Sequence, residues 1–320
     1  MPPILYIIVP CYNEENVLPI TSEFFLNELE CLISKGKISD KSRILFLDDG
    51  SKDSTWSIIL NLSKKTNYIE GIKLSRNFGH QNNVLAGLME SKDKCDITIS
   101  IDCDGQDDIS TIEKMIDEYH NGNEIVYGVR SKRDTDSFFK RFTAELFYKI
   151  LNVMGIEVIY NHADYRLISK KALAEFSNFH ETNLYLRGLI PLVGFKSTCV
   201  YYERHERLSG KSHYPFSKML SLAFDGITSL SIKPIRLIAC FGGLVSLFSF
   251  LYMLFIIILK ITNFNNTFVP GWSSIICVFC FISGIQILAL GIIGEYIGKI
   301  YMEVKARPRY IIEDRCGKLN

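Results

Sequence analysis

The sequence predicts an α/β domain, a mostly parallel sheet with helices on both faces, followed by an interfacial helix and two membrane-crossing helices. Three observations predict it. Over roughly the first 200 residues, short apolar runs alternate with amphipathic stretches of helical period. Each apolar run stops at a cluster of polar or acidic residues. Beyond residue 230 the composition changes to two long, almost uncharged apolar runs.

The strand candidates come in order as Ile4 to Val9, Ile44 to Leu47, Ile69 to Leu74, Ile97 to Ile101 and Ile125 to Tyr127. The clusters behind the first four are Cys11-Tyr12-Asn13-Glu14, Asp48-Asp49-Gly50-Ser51, Arg76-Asn77 and Asp102-Cys103-Asp104. Ligands of open α/β sheets sit in the crevice beyond the carboxyl ends of the strands, so these clusters are expected to converge on one site. The opening Met1-Pro2-Pro3-Ile4 lacks the basic region and cleavage site of a signal peptide and reads as the approach to a strand. With 36 basic and 35 acidic residues the net charge is +1, and nucleic acid is not an expected partner. Nine cysteines without paired metal-type spacing read as buried thiols of a reducing compartment rather than a disulfide framework.

Leu237 to Leu259 and Ile275 to Gly294 each approach the roughly 20 apolar residues a helix needs to cross a bilayer. Lys233, Arg236, Lys299, Lys305, Arg307 and Arg309 flank the outer ends of the pair, whereas the connecting loop carries only Lys260. The positive-inside rule therefore puts both termini and the sheet domain on the cytoplasmic side, with Trp272 and Tyr296 suited to the two interfaces. Gly284, Gly291, Gly294 and Gly298 offer small surfaces for helix packing, and equally fit the general abundance of glycine in membrane helices. Pro215 to Ile235 mixes Phe216, Met219, Leu220 and Phe224 with Lys218 and Asp225, the pattern of a helix lying in the interface plane. The expected divisions are a catalytic domain over 1–214, the interfacial helix over 215–235, a membrane hairpin over 236–299 and a cytoplasmic tail over 300–320.

The strongest chemical signal is Asp102-Cys103-Asp104, followed by Gly105-Gln106-Asp107-Asp108. Carboxylates at i and i+2 on a turning chain can face one hard divalent cation, which would neutralise a leaving diphosphate. An acidic surface turn gives the same pattern, and position behind an apolar strand is what favours the metal. Asp53 or Ser54 serves as a helix cap, whereas Asp48 and Asp49 exceed what a cap requires and can accept hydrogen bonds from a base or ribose. Tyr12 can stack on a base.

Ile8-Val9-Pro10 with Tyr12-Asn13-Glu14, Asp48-Asp49-Gly50-Ser51, Ser75-Arg76-Asn77-Phe78-Gly79 and Asp102-Cys103-Asp104-Gly105-Gln106-Asp107 occur in the order seen in family 2 inverting glycosyltransferases. More narrowly the chain resembles the polyprenyl-phosphate glycosyltransferases, which include dolichol-phosphate mannose synthase and bactoprenol glucosyltransferase. Tyr127-Gly128-Val129-Arg130, Asp164-Tyr165-Arg166-Leu167, Arg204 with Arg207, and Gly210-Lys211-Ser212-His213-Tyr214 extend the resemblance over nearly the whole chain. It implies a GT-A, Rossmann-like sheet and transfer of a hexose from a nucleotide diphosphate sugar, UDP-glucose being the leading choice, to polyprenyl phosphate. Pro10, Tyr12, Glu14, Asp48, Asp49, Arg76, Asn77 and Asp102 would lie on the nucleotide. Asp102, Asp104 and Gln106 would hold Mg2+ or Mn2+, and Asp164 would act beside the acceptor as catalytic base or positioning group. Arg130, Arg204, Arg207, Lys211 and His213 would gather the acceptor phosphate; the late arginines also fit anionic lipid headgroups. A homotetramer is implied by the resemblance alone.

This chain has His213 where the family usually carries lysine, and Gly105 and Asp108-Ile109 where leucine and Pro-Pro are common. His162 is read as a structural or donor-side histidine rather than a catalytic base. Two other readings remain. A processive polysaccharide synthase would carry Gln-x-x-Arg-Trp, which neither Gln81, Gln106 nor Gln286 begins. A non-catalytic scaffold or flippase subunit has no need of carboxylates at several strand ends.

Overall fold

The computed structural model describes residues 1–131, 162–182, 184–205, 228, 231–261 and 272–317. Its centre is an eight-stranded sheet in the order β7-β5-β6-β4-β1-β2-β3-β8. The strands are β1 (Leu5–Cys11), β2 (Arg43–Asp48), β3 (Ile69–Leu74), β4 (Ile97–Ser100), β5 (Ile125–Arg130), β6 (His162–Ser169), β7 (Ser197–Tyr202) and β8 (Ile312–Cys316). β4, β1, β2 and β3 run parallel, whereas β6 is antiparallel to both β4 and β5, and β8 is antiparallel to β3.

Side chains of a strand alternate between the two faces of its sheet, so a strand covered on both sides must be apolar throughout. β1 meets that requirement and is buried at every position. Leu5, Ile7 and Val9 face α1 (Leu18–Ser34) and α4 (Thr111–His120), where they join Phe25, Leu29, Ile112 and Met115. Tyr6 and Ile8 face the other way, toward α3 (His80–Ser91) and α6 (Leu186–Leu192), meeting Val84, Leu88 and Leu189. Full burial of one such side chain is worth about 1.5–3 kcal/mol, so the two layers hold the sheet from both sides. The short α2 (Thr55–Lys65) and α5 (Lys170–Phe176) complete the cover. Ser169 caps α5, its hydroxyl accepting from the amide of Ala172 at 3.1 Å.

All five predicted strands are present. Three were not anticipated: β6, β7 and β8. The segment read as a C-terminal tail instead returns to the sheet, where β8 pairs with β3 through Gly71 opposite Cys316. Cys11, Cys95, Cys103 and Cys316 are free and buried.

Two long helices precede β8, α7 (Lys233–Ile261) and α8 (Trp272–Lys305), and they pack against each other. Tyr296 of α8 donates to the Ser231 carbonyl just ahead of α7 at 2.5 Å. Among the described residues one segment, Phe281–Lys305, is long and apolar enough to cross a membrane, and Ile287, Leu288, Leu290 and Ile297 on it are exposed. It extends past residue 299, where the membrane hairpin was expected to end. The expected interfacial helix lies almost entirely outside the described residues, and α7 already begins at Lys233 within its last turn.

α3 approaches the sheet closely at Gly87. A β-carbon there would sit 2.5 Å from Leu47 Cδ1 and 2.6 Å from Ile8 Cγ2. Gly87→Ala therefore overpacks the core and is expected to destabilise the sheet domain by about 1–3 kcal/mol, read as a fall in the thermal unfolding midpoint of the detergent-solubilised protein.

Candidate active site

The chain passes from β1 to β2 to β3 on one side, then crosses back to place β4 on the other side of β1. The loops behind β1 and β4 therefore diverge and leave a crevice at their carboxyl ends, the position where such sheets bind ligands. The clusters at Tyr12–Glu14, Asp48–Ser51 and Asp102–Asp104 all end strands at this edge. β6 runs the other way and enters at the same edge with Asp164, whose carbonyl accepts from the Ser100 hydroxyl at 2.7 Å.

Backbone amides join the loops of the nucleotide side. The amide of Asn13, a residue in the left-handed region at φ 55°, donates to Ser51 Oγ at 2.9 Å, and its side-chain oxygen accepts from the Lys52 amide at 3.0 Å. The Glu14 amide donates to Thr55 Oγ1 at 2.9 Å. Asp49 is buried and its carboxylate accepts from the amides of Phe78 at 2.7 Å and Gly79 at 2.9 Å. Gly50, at φ 66°, permits that approach, since a β-carbon there would lie 2.6 Å from the Arg76 carbonyl carbon. Asp48 is fully buried, one oxygen accepting from the Ser51 amide at 3.1 Å and the other without a hydrogen-bond partner among the described residues. Burial raises the pKa of both carboxyls above the usual range. Asp49, expected on the nucleotide, thus spends both oxygens on the adjacent loop. Pro10 is buried within β1, while Tyr12 stands 42% exposed at the rim. Arg76 lies over the Phe78 ring at 4.1 Å, and Asn77 Oδ1 accepts from the Gly79 amide at 3.0 Å.

Across the crevice, acidic and basic groups interleave. His80 Nε2 stands 3.7 Å from Asp102 Oδ1 and 3.5 Å from Asp164 Oδ2, so it bridges the two acidic motifs. Arg187 of α6 holds Asp164 with two parallel bonds of 3.1 Å, and Arg166 donates to the same carboxylate from a buried position. Burial disfavours the Asp164 anion, but Arg187, His80 and Arg166 outweigh it and hold its pKa well below the usual carboxylate range. His80 is opposed by burial yet raised to about 9 by Asp164 and Asp102. Its side chain is still 44% open to solvent, so the two carboxylates, rather than its surroundings at large, set its charge.

Asp102 is pushed up to about 6, first by burial and then by the charges of Asp164, Asp107 and Asp104, with His80 acting against them. Carboxylates crowded in this way are what a divalent cation offsets, and Asp102 and Asp104 share one turn at i and i+2. Among the described residues no three His, Cys, Asp or Glu side chains form a complete cage. Such a cation would therefore complete its shell with oxygens from a ligand. Gln106, expected as a third metal ligand, is buried and its side-chain oxygen accepts from Arg204. Arg130, expected on the acceptor, instead reaches Asp107 Oδ1 at 3.3 Å, where the Tyr202 hydroxyl also donates at 2.5 Å. Both arginines therefore brace the acidic turn. Arg207, Lys211 and His213 lie outside the described residues.

His80, Arg166 and Arg187 were not anticipated. His80 directly follows Gly79 of a recognised motif, and Arg166 lies two residues from Asp164 along a strand, hence on the same face. Arg187 carries no local signal, because only the packing of α6 brings it to Asp164.

The chain belongs to the family Glycosyl transferase family 2, which it matches over residues 6–176, and it is a glycosyltransferase. It is 48% identical over 311 residues to the uncharacterized glycosyltransferase YkoT of Bacillus subtilis (strain 168), covering 97% of this chain and 91% of that protein. It is 38% identical over 310 residues to the bactoprenol glucosyl transferase of Shigella phage SfX, covering 97% and 98%. Among solved structures, glucosyl-3-phosphoglycerate synthase from Mycobacterium tuberculosis, in complex with Mn2+, UDP and glucosyl-3-phosphoglycerate, aligns with a TM-score of 0.44 and 14% identity over 71% of this chain and 78% of that one.

Asp49→Ala strands the Phe78 amide, whereas the Gly79 amide keeps Asn77 Oδ1 as an acceptor. The expected loss is about 1–3 kcal/mol, seen as a lower denaturation midpoint together with faster hydrogen exchange at Phe78.

Proposed function

We propose that this enzyme transfers glucose from UDP-glucose to undecaprenyl phosphate with inversion at the anomeric carbon, on the cytoplasmic face of a membrane that α7 and α8 cross as a hairpin. The observation that carries the reading is the pairing of Asp102 and Asp164 through His80, which brings the diphosphate side and the acceptor side of the crevice within reach of one substrate pair. Full-length similarity to bactoprenol glucosyl transferases supports the sugar and the lipid carrier.

In this reading Pro10, Tyr12, Glu14, Arg76 and Asn77 line the nucleoside, with Tyr12 at the rim able to stack on uracil. Asp48 contributes Oδ2, which has no hydrogen-bond partner among the described residues. Asp49 acts indirectly, by holding the amides of Phe78 and Gly79 in place. Asp102 and Asp104 would hold Mg2+ or Mn2+, which supplies charge neutralisation for the departing diphosphate. Gln106 serves that turn through Arg204, and a direct bond from it to the metal requires exchange of this partner.

The acceptor is a phosphate monoester, already ionised near neutrality, so its attacking oxygen has almost no proton to lose. An aspartate held far below the usual carboxylate range is correspondingly a weak base. Asp164 is therefore assigned to positioning: it fixes Arg187, Arg166 and His80, whose donors can face phosphate oxygens as the two anionic substrates meet. Arg130 and Arg204 add positive charge beside the acidic turn, and Arg207, Lys211 and His213 are assigned to the acceptor phosphate on sequence grounds. Assembly as a homotetramer belongs to the same reading.

The test uses purified protein, radiolabelled UDP-glucose and undecaprenyl phosphate. Label is expected in a lipid phosphate ester, with inversion established from the product anomer. Chelation should abolish transfer and Mg2+ or Mn2+ restore it, and Asp104→Ala should lower turnover at least about 100-fold with an unchanged unfolding midpoint. Label in polymer would support a processive synthase instead. Normal transfer by the Asp104→Ala enzyme would refute the metal assignment, and transfer only from another nucleotide sugar would replace the donor.

A further inference from the structure

At 34 residues α8 is about 51 Å long, against about 30 Å of bilayer hydrocarbon, so several of its turns extend beyond the apolar layer. The last of these carries Glu303, whose carboxylate accepts from the Thr182 amide at 2.6 Å and from the Thr182 hydroxyl at 2.7 Å. Just beyond the helix, Arg309 donates to the Phe179 carbonyl at 3.0 Å. The end of a membrane-type helix thus grips the segment leading into α6 at two points.

α6 begins only four residues after Thr182, at Leu186, whose amide donates to Gln81 Oε1 at 2.9 Å. The next residue is Arg187, which makes the two parallel bonds to Asp164. Hydrogen bonds to a charged carboxylate are among the stronger and more directional ones, so Glu303 sets where the approach to α6 lies. The course of the chain therefore runs from the helix end at Glu303, through Thr182, to the guanidinium that fixes Asp164.

We propose that Glu303 is a positioning residue: it ties the cytoplasmic end of α8 to the Arg187–Asp164 pair and so sets the acceptor side of the site relative to the membrane surface. Glu303 touches no substrate in this assignment. Its effect is on the lipid-linked acceptor rather than on the soluble donor, because the nucleotide-side loops are held by separate bonds through Asp49, Asn13 and Thr55. The assignment rests on the proposed function for the identity of the acceptor.

The experiment compares the wild-type protein with Glu303→Gln and Thr182→Val by hydrogen–deuterium exchange and by kinetics with UDP-glucose and undecaprenyl phosphate. Expected for both variants are faster exchange over Leu184–Ile190, an acceptor KM raised about fivefold or more, and a donor KM within about twofold of wild type. The double variant should be no worse than the poorer single one, because both break the same contact. Exchange that stays at the wild-type rate overturns the proposal, and so does faster exchange with acceptor and donor KM unchanged or raised together. If wild type transfers to no polyprenyl phosphate, the acceptor reading fails by itself, and exchange over Leu184–Ile190 alone decides whether Glu303 positions Arg187.

Discussion

The site depends on one electrostatic constraint: carboxylates from two chain segments, Asp102 with Asp104 behind β4 and Asp164 on β6, must share a crevice without driving each other apart. Like charges at short range in a partly buried site are costly. Cations placed between and around them solve the problem. His80 stands between Asp102 and Asp164, Arg187 and Arg166 take the far side of Asp164, and Arg130 and Arg204 brace the turn through Asp107 and Gln106. The compensation is uneven. Asp164 is amply neutralised and stays ionised, whereas Asp102 remains raised. That imbalance makes Asp164 the fixed anchor of the crevice, held by three cations, while Asp102 pairs, among the described residues, with His80 alone.

The nucleotide side obeys a different constraint, the need to satisfy buried backbone amides where three strands end. Here the polar side chains of the motifs serve the loops themselves: Asp49 takes two amides, and Ser51, Thr55 and Asp53 receive those of Asn13, Glu14 and Glu15. A motif residue in this family fold can therefore shape the pocket without touching its contents. Gly50 belongs to the same system, since only a residue without a side chain lets the second loop close on the third.

What could be read from the sequence follows from these physical demands. β1, β2, β4 and β5 were legible because burial on both faces, or nearly so, writes a largely apolar run, and β3 because Ile69, Ile72 and Leu74 recur about Glu70 and Lys73 just ahead of a polar cluster. β6 escaped because Asp164 and Arg166 interrupt it, and β8 because Glu313, Asp314 and Arg315 are charged, as suits an edge strand that must not recruit another chain. The acidic turn was legible as chemistry from its i, i+2 spacing. The roles of Asp49, Gln106 and Arg130 were not, because hydrogen-bond partners at separations such as 29 residues, Asp49 to Phe78, or 98 residues, Gln106 to Arg204, leave no trace in local pattern. The contact between Glu303 and Thr182, 121 residues apart, is of the same kind.

The central claim of the proposed function is that Asp102 and Asp104 together hold the divalent ion beside the donor diphosphate. Anomalous diffraction from crystals grown with Mn2+ and UDP measures it directly. The account predicts one Mn2+ peak within bonding distance of both carboxylates and of the UDP phosphates. A peak bound elsewhere in the domain, or UDP seated in the crevice with no metal at this turn, would contradict it.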